Sequence, residues 1–444
     1  MVVYEAASTP GGGCRSAELT LPGFVHDVCS AIHPLAMASP FFKSIPLADL
    51  GVRFRQPGAP LAHPLDDGDA AVLERSVTET AEGFGDDARA YIRLMEPLVR
   101  NTDKLLEDVL GPLRVPHHPF ALGRFGLSAI RSAHGLARAR FDEPRPRALF
   151  AGIAAHSMLS LRRPPTAAYG LMLGVVGHAH GWPTIEGGAQ KLTDAMVTYL
   201  TGLGGHIFTD RRIETLAELP RSKAVLFDLT PKQILAIAGD ALPGRYTRRL
   251  EQYEYGPGVF KIDFALSEPI PWKADVCRRA GTVHLGGTLE EVTAAEDEVC
   301  RGRPVERPYV LLAQQSTFDE TRAPDGKHTV WAYCHVPSGS SVDMTEPIVS
   351  QIERFAPGFR DTVIARATMT APELESYNAN YIGGDISGGV QHFGQLFTRP
   401  AIRFDPYSTP NKQLYICSSS SPPGGGVHGM CGHHAARSAL RRVF

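Results

Sequence analysis

Apolar residues along the chain change their period several times, and each change predicts an element. Val2 and Val3 open a short apolar run that ends in the acid Glu5 and meets Gly11-Gly12-Gly13 at once, which predicts a strand and a turn. Cys14 to Asp27 alternates small or polar with apolar residues around Pro22-Gly23, the pattern of a hairpin. From about Asp69 to Arg138 the period lengthens. Leu94, Leu98, Leu105, Leu106, Val109 and Leu110 recur at three-to-four spacing among charges and predict helices. Arg147 to Val176 continues in an Ala- and Leu-rich helical vein, broken at Pro164-Pro165.

A second β–α–β-like passage begins at Gly187-Gly188. Ala189, Leu192, Met196, Tyr199, Leu200 and Leu203 lie on one helical stripe, Gly204-Gly205 ends it, and His206 to Thr209 resumes as a strand. Ala224 to Phe227 predicts another. Val259 to Leu266, Thr282 to Leu285, Tyr309 to Gln314 and Thr329 to His335 read as strands of a separate sheet, and Glu346 to Phe355 as a helix. The chain ends with the apolar strand Leu414 to Cys417, the turn Pro422-Pro423-Gly424-Gly425-Gly426, and helical composition from Val427 to Val443. Nucleotide-type segments at both ends and in the middle predict one discontinuous domain, 1–66, 181–256 and 357–444. A helical insertion, 67–180, and a mixed-sheet substrate domain, 257–356, interrupt it.

Length and charge narrow the classes. At 444 residues the chain suits roughly two or three domains. With 45 basic and 47 acidic side chains there is no electrostatic footprint for nucleic acid, so a small molecule is the expected partner. Seven scattered cysteines without a C-x-x-C pair predict reduced thiols and a cytoplasmic location. The seventeen histidines show no zinc spacing, so no metal is expected. No apolar run reaches the length of a membrane span; peripheral membrane contact stays open. Ala167 to Val176 reads as a buried helix lining a cavity.

Candidate chemistry gathers at the two ends. An acid closing a strand hydrogen-bonds a ribose 2′-OH in dinucleotide-binding folds, where it lies about 20 residues after a G-x-G-x-x-G turn. Glu5 either plays that part or is an exposed acid on an ordinary strand. Gly11 to Gly13 is either a plain turn or a close approach of backbone amides to a phosphate. Arg15, two residues beyond Gly13 on an extended chain, either pairs with a pyrophosphate or is a surface charge. Glycines 424–426 before a helix leave its first amides free for an anion or a ring carbonyl, unless they merely cap it. His33, His178, His180 and His428 lie in apolar or glycine-rich surroundings, and the residues alone select none of them as an acid–base group. The catalytic residues are unassigned.

These stretches together resemble the phytoene desaturase-like, or phytoene dehydrogenase-related, FAD-dependent oxidoreductases, a family that takes in carotenoid isomerase and retinol saturase. VVYEAASTPGGG, LPGFVHDVCSAIHPLA, GWPTIEGGAQKLTDAM, ERFAPGF and LYICSSSSPPGGGVHGMCGHHAA carry the resemblance over nearly the whole chain, the first and last most specifically. It implies an α/β fold: a discontinuous Rossmann-like FAD-binding domain, its first strand and helix missing, with the inserted helical and mixed-sheet substrate domain.

It further implies that Glu5, followed by Ala6, binds the adenosine ribose, and that Gly11, Gly12 and Gly13 approach the pyrophosphate. Arg15 replaces the arginine that many members carry directly after two glycines. Ser30 and Ala31 pass close to the flavin ring. Ile213, on the strand after the second helix, flanks the adenine. Ser418 and Ser419 contact the ribityl and phosphate groups, and Gly426, Val427 and His428 lie at the isoalloxazine. The implied cofactor is FAD, with NAD(P) as a candidate electron partner, and the implied reaction is dehydrogenation or isomerisation of an apolar or conjugated molecule. The G-x-G-x-x-G unit does not occur in the sequence, and codons upstream of Met1 are expected to encode it. Two alternatives stay open: a truncated, non-catalytic product unable to retain FAD, and an oxidoreductase that binds NAD(P) at Glu5.

Overall fold

The structure, a computed structural model, describes residues 1–443. Its largest sheet runs in the order Val363–Met369, Gly258–Leu266, His328–Val336, Val310–Ala313, Ala280–Leu285, Ala59–Pro64, Ala70–Leu73. Neighbours are antiparallel except Ala280–Leu285 beside Ala59–Pro64. Strand Gly258–Leu266 is buried at all nine positions, so both faces of the sheet are covered there.

The two faces differ in chemistry. Phe260, Ile262, Phe264, Val330, Ala332, Cys334, Leu312 and Val283 share one face and pack with Ile348, Ile352 and Phe355 of helix Thr345–Phe355. That face is apolar over these strands and ends in the exposed Arg366 and Thr368 of the edge strand. The alternating positions, Lys261, Asp263, Trp331, Tyr333, His335, Leu311, His284 and His63, look the other way, where the core includes helices Pro144–Ala154 and Thr166–His180. Helix Thr166–His180 is buried along most of its length, as its composition predicts.

Four short strands carry the nucleotide-type segments. Val2–Tyr4 pairs in parallel with His206–Phe208, and Leu414–Ile416 pairs in parallel with Val225–Phe227. No hydrogen-bonded strand joins the two ladders among the described residues. The hairpin predicted at Cys14 to Asp27 forms as Ser16–Ala17 against His26–Asp27, and the stripe from Ala189 forms helix Gln190–Gly202.

Some features depart from the sequence pattern. Ala70–Leu73 is a strand where helical spacing was expected, because four small apolar residues suit either period. With Ala59–Pro64 and Val363–Met369 it joins the large sheet, although these stretches lie outside residues 257–356. The last helix starts at Met430 and not at Val427, since Gly429 takes φ 67° and keeps the chain out of the helical region.

Candidate functional site

Each parallel ladder is followed by an acid, and the two lie near enough for the charge of Glu5 to act on Asp228. Glu5 follows the strand Val2–Tyr4 and Asp228 follows the strand Val225–Phe227. Asp228 is solvent-accessible, yet crowding by the chain raises its carboxyl to about 6, with the charge of Glu5 adding to the rise. An accessible side chain so crowded lies in a groove. Cys14 shares this character: half-buried, with a thiol pushed up to about 12 by burial and then by Cys29 and Asp27. At that value it is no nucleophile at neutral pH.

A third segment spans the groove. Tyr377 Oη donates to Gly12 O at 3.1 Å, while Asn380 Nδ2 donates to Asp228 O at 2.9 Å and Asn380 Oδ1 accepts from Thr230 N at 3.0 Å. Farther on, Ser420 Oγ donates to Gly388 O at 2.9 Å. Residues 377–389 thus line the groove from the N-terminal glycine turn to the C-terminal serines. The turn signals Asn378 to Gly384 are visible in the sequence, but the bridging is not.

Tyr381 also explains one glycine. A Cβ on Gly13 would lie 2.2 Å from Tyr381 Oη, so the position admits no side chain while that ring stays. Gly13→Ala is expected to cost about 1–3 kcal/mol through overpacking. Tyr381→Phe in the same chain should recover most of it, because only the hydroxyl clashes; urea unfolding of the single and double variants checks this.

The predicted residues come together, with several roles altered. Arg15 is turned toward Glu5. Gly11 and Gly12 take φ 134° and 53°, so the chain turns back where an extended run was expected. The Arg15 guanidinium then lies 3.5 Å from Glu5, its Nε donates to Thr9 O at 3.0 Å, and it stacks over Tyr377 at 5.5 Å. Glu5 also accepts from Ala7 N at 2.8 Å, beside the exposed Ala6. Ser30 N donates to Gly13 O at 2.9 Å, tying the glycine turn to the segment of Ala31, whose carbonyl accepts from Thr184 Oγ1 at 3.1 Å. Ile213 is not on a strand: pairing stops at Phe208, and Asp210 at φ 53° turns the chain away.

At the other end Ser418 Oγ donates to Leu229 O at 2.8 Å and Ser419 O accepts from Arg399 Nη1 at 2.9 Å, so both serines brace the ends of the second ladder. Gly426 is exposed and Val427 half-buried beside it. The His428 side chain is spent on its own turn: Nε2 donates to Gly424 O at 3.2 Å and Nδ1 accepts from Met430 N at 3.0 Å, capping the last helix. His178 is likewise satisfied by Tyr91 Oη at 2.8 Å, and His33 Nε2 lies 3.1 Å from Ser30 Oγ.

Residues absent from the sequence reading include Asp228, Tyr381 and the ion pair Lys261–Asp263, buried at 2% exposure on the polar face of the sheet. Burial raises the Asp263 carboxyl to about 6, against the opposing pull of Lys261. Among the described residues no group of three His, Cys, Asp or Glu side chains is placed to hold a metal ion, and no helix is long and apolar enough to cross a membrane.

Parallel strand pairs, each followed by an acid, belong to a Rossmann-like α/β fold, and solved structures share it. An oxidoreductase from Methanosarcina mazei superposes with a TM-score of 0.65 at 14% identity, covering 99% of this chain and 94% of that one. Cyclohexylamine oxidase from Brevibacterium oxydans gives 0.60 at 12% identity, covering 99% and 93%. Putrescine oxidase bound to putrescine gives 0.58 at 16%, covering 99% and 92%. At these identities the likeness is one of fold.

No family model matches the chain. Curated proteins do, among them two named pyridine nucleotide-disulfide oxidoreductase domain-containing protein 2. The mouse protein is 28% identical over 345 residues, 68% of this chain and 59% of its own length; the rat protein is 28% identical over 320 residues, 62% and 55%. The chain therefore spans under three-fifths of the length of these relatives.

Proposed function

We propose that this chain is the body of an FAD-dependent oxidoreductase that dehydrogenates or isomerises an apolar or conjugated small molecule. The observation that supports it most is the groove between the two parallel ladders, with Glu5 and Asp228 on its opposite walls and the positive-φ turn Gly11-Gly12 at its edge. Ligands of open α/β sheets bind outside the carboxyl ends of the strands, at the point where the strand order reverses. Accessible acids there suit ribose hydroxyls, and the turn brings backbone close to a phosphate. The fit is partial, because among the described residues no glycine turn runs straight from a strand into a helix at this groove, the usual seat of the diphosphate.

In this reading Glu5 or Asp228 holds the ribose, Gly11 to Gly13 meet the phosphates, and Ser30, Ala31, Gly426 and Val427 meet the flavin ring. FAD, when bound, supplies the two-electron acceptor. The polar face of the large sheet and helix Thr166–His180 wall the substrate. Were NAD(P) bound at Glu5 in place of FAD, the acid there would disfavour the 2′-phosphate of NADP. Seven unpaired thiols suit a reducing compartment, and we place the protein in the cytoplasm.

The visible spectrum tests the cofactor. After incubation with FAD and desalting, flavin bands near one equivalent per chain are expected. A folded, colourless protein would overturn the reading and favour a non-catalytic product. NADH titration of the loaded protein, followed by flavin bleaching, tests the nicotinamide partner.

A further inference from the structure

One pair of side chains on the polar face of the sheet has no part in holding the cofactor. His335 Nδ1 lies 2.8 and 2.9 Å from the two carboxylate oxygens of Glu296, and both side chains are at most 2% exposed. A ring nitrogen held between carboxylate oxygens carries the proton, which leaves the lone pair on Nε2. That Nε2 is buried and has no partner.

The surroundings of Nε2 are aromatic. The rings of Tyr309 and Tyr333 lie 5.8 and 5.6 Å from the His335 ring, and Trp331 packs edge-on against Tyr333 at 5.2 Å. Tyr309 Oη is committed to Gly152 O at 2.8 Å and does not satisfy the imidazole. Two more buried polar atoms lack partners: Trp331 Nε1, on the same strand as Tyr333, and Ser157 Oγ next to His156, whose ring lies 5.2 Å from that of His284, itself 5.6 Å from Tyr309. Buried polar atoms are nearly always paired, so three orphans on one wall mark a place where another molecule supplies the partners.

Two arms connect this wall to the segments expected at the flavin. Tyr333 lies near the Cys29 thiol, which burial keeps protonated, beside Ser30 and Ala31. Beyond Ser157, Met158 Sδ accepts from Ser387 Oγ at 3.2 Å, and the Ser387 backbone backs Gly425 so closely that a Cβ there would lie 2.9 Å from its carbonyl oxygen. Resting on the FAD reading, we propose that His335 is the catalytic proton acceptor of the substrate site and Glu296 its positioning residue.

FAD, when bound, would supply the acceptor for one substrate hydrogen and its electron pair; the second hydrogen would leave the neighbouring atom as a proton. That proton goes to His335 Nε2, and the electron pair of its broken bond stays in the substrate as the new π bond. Glu296 then faces an imidazolium, which its charge stabilises. The substrate class that suits this wall is an apolar ring or polyene carrying an O–H or an acidified C–H. The other titratable groups facing the ring are His156, held neutral by burial at a pKa of about 3, and Tyr309 and Tyr333, both raised by burial; His284 lies behind Tyr309 at 5.6 Å.

The test uses ¹⁵N-histidine-labelled protein with phenol as the probe, an aromatic ring carrying one O–H. The His335 resonance is assigned by its loss in His335→Gln. We expect an unprotonated Nε2 in the unliganded protein, a saturable shift on adding phenol, and in Glu296→Gln a mixed tautomer with phenol affinity reduced roughly tenfold. The wild-type spectrum alone decides if the variants fail to fold. A protonated Nε2, or a resonance that phenol does not move, overturns the proposal. Flavin content of the same samples separates the two readings: bound FAD with an unresponsive His335 defeats the dyad alone, and a responsive His335 without FAD uptake defeats the cofactor reading alone.

Discussion

Lowering the pH from 7 to 5 is expected to remove on the order of 5–10 kcal/mol of unfolding free energy from this protein. Six histidines at most 3% exposed set the effect: His26, His33, His63, His178, His284 and His428. Burial lowers the pKa of His26 to about 3, those of His33, His63, His178 and His428 to about 4, and that of His284 well below 6.5. In the unfolded chain each titrates near 6.5.

Because the folded values are depressed, this stabilisation is complete above pH 6.5 and is lost as the pH falls toward 4. Each histidine loses about 2 kcal/mol between pH 7 and 5. Asp263, raised to about 6, and Asp385, also raised by burial, act oppositely. They bind protons first in the folded state, and Asp263 returns about 1 kcal/mol over the same interval. The histidines outnumber them. Since whole-protein stabilities run to about 5–15 kcal/mol, unfolding near pH 5 is expected. The fluorescence of the buried Trp182, Trp272 and Trp331 reports the urea midpoint at each pH. A midpoint unchanged between pH 7 and 5.5 would contradict the burial of these imidazoles.

Arg322→Ala should be the most damaging single substitution, costing about 3–5 kcal/mol. The Arg322 side chain is fully buried, with Nε donating to Asp319 Oδ2 at 2.8 Å and Nη1 to Asp27 Oδ2 at 3.0 Å. Nη2 donates to Ile185 O at 2.9 Å and Thr184 Oγ1 at 3.1 Å. Asp27 in turn accepts from Ser16 Oγ and from Ala189 N, each at 2.8 Å. One guanidinium therefore ties the hairpin before Ser30 to the start of helix Gln190–Gly202 and to the large sheet. Its removal strands two carboxylates without a counter-charge. Arg322→Lys should recover only part of the loss, since an ammonium cannot reproduce the fork of donors. In the Arg322→Ala background, Asp27→Asn should recover some stability by removing one of the buried charges. Denaturant unfolding of the four proteins checks this; an Arg322→Ala variant within 1 kcal/mol of the parent would remove the network from the account of the fold.

Much of the scaffold is legible without coordinates. The strands Val2–Tyr4, His206–Phe208, Gly258–Leu266 and His328–Val336 and the helix Gln190–Gly202 declare themselves by apolar spacing and glycine stops, signals contained within a dozen neighbouring residues. The alternation Trp331, Tyr333, His335 can likewise be read as one face of a strand. Nothing local says which face is polar or what stands opposite it. His335 acquires its acid from Glu296, 39 residues earlier on a helix, and Arg15 is drawn to Glu5 because two glycines turn the chain between them. Neither pairing is local: the residues alone selected no histidine, and they left Arg15 either pairing with a pyrophosphate or as a surface charge.

By itself, then, the sequence determined the α/β class, the order of the elements and the glycine turns, because period and backbone freedom are properties of adjacent residues. Only the tertiary structure decided which acids lie near one another, which histidines are spent in caps and core, and which of them sets a carboxylate on one ring nitrogen and leaves the other without a partner. Those outcomes depend on desolvation and on partners brought from distant parts of the chain, and no local pattern encodes either.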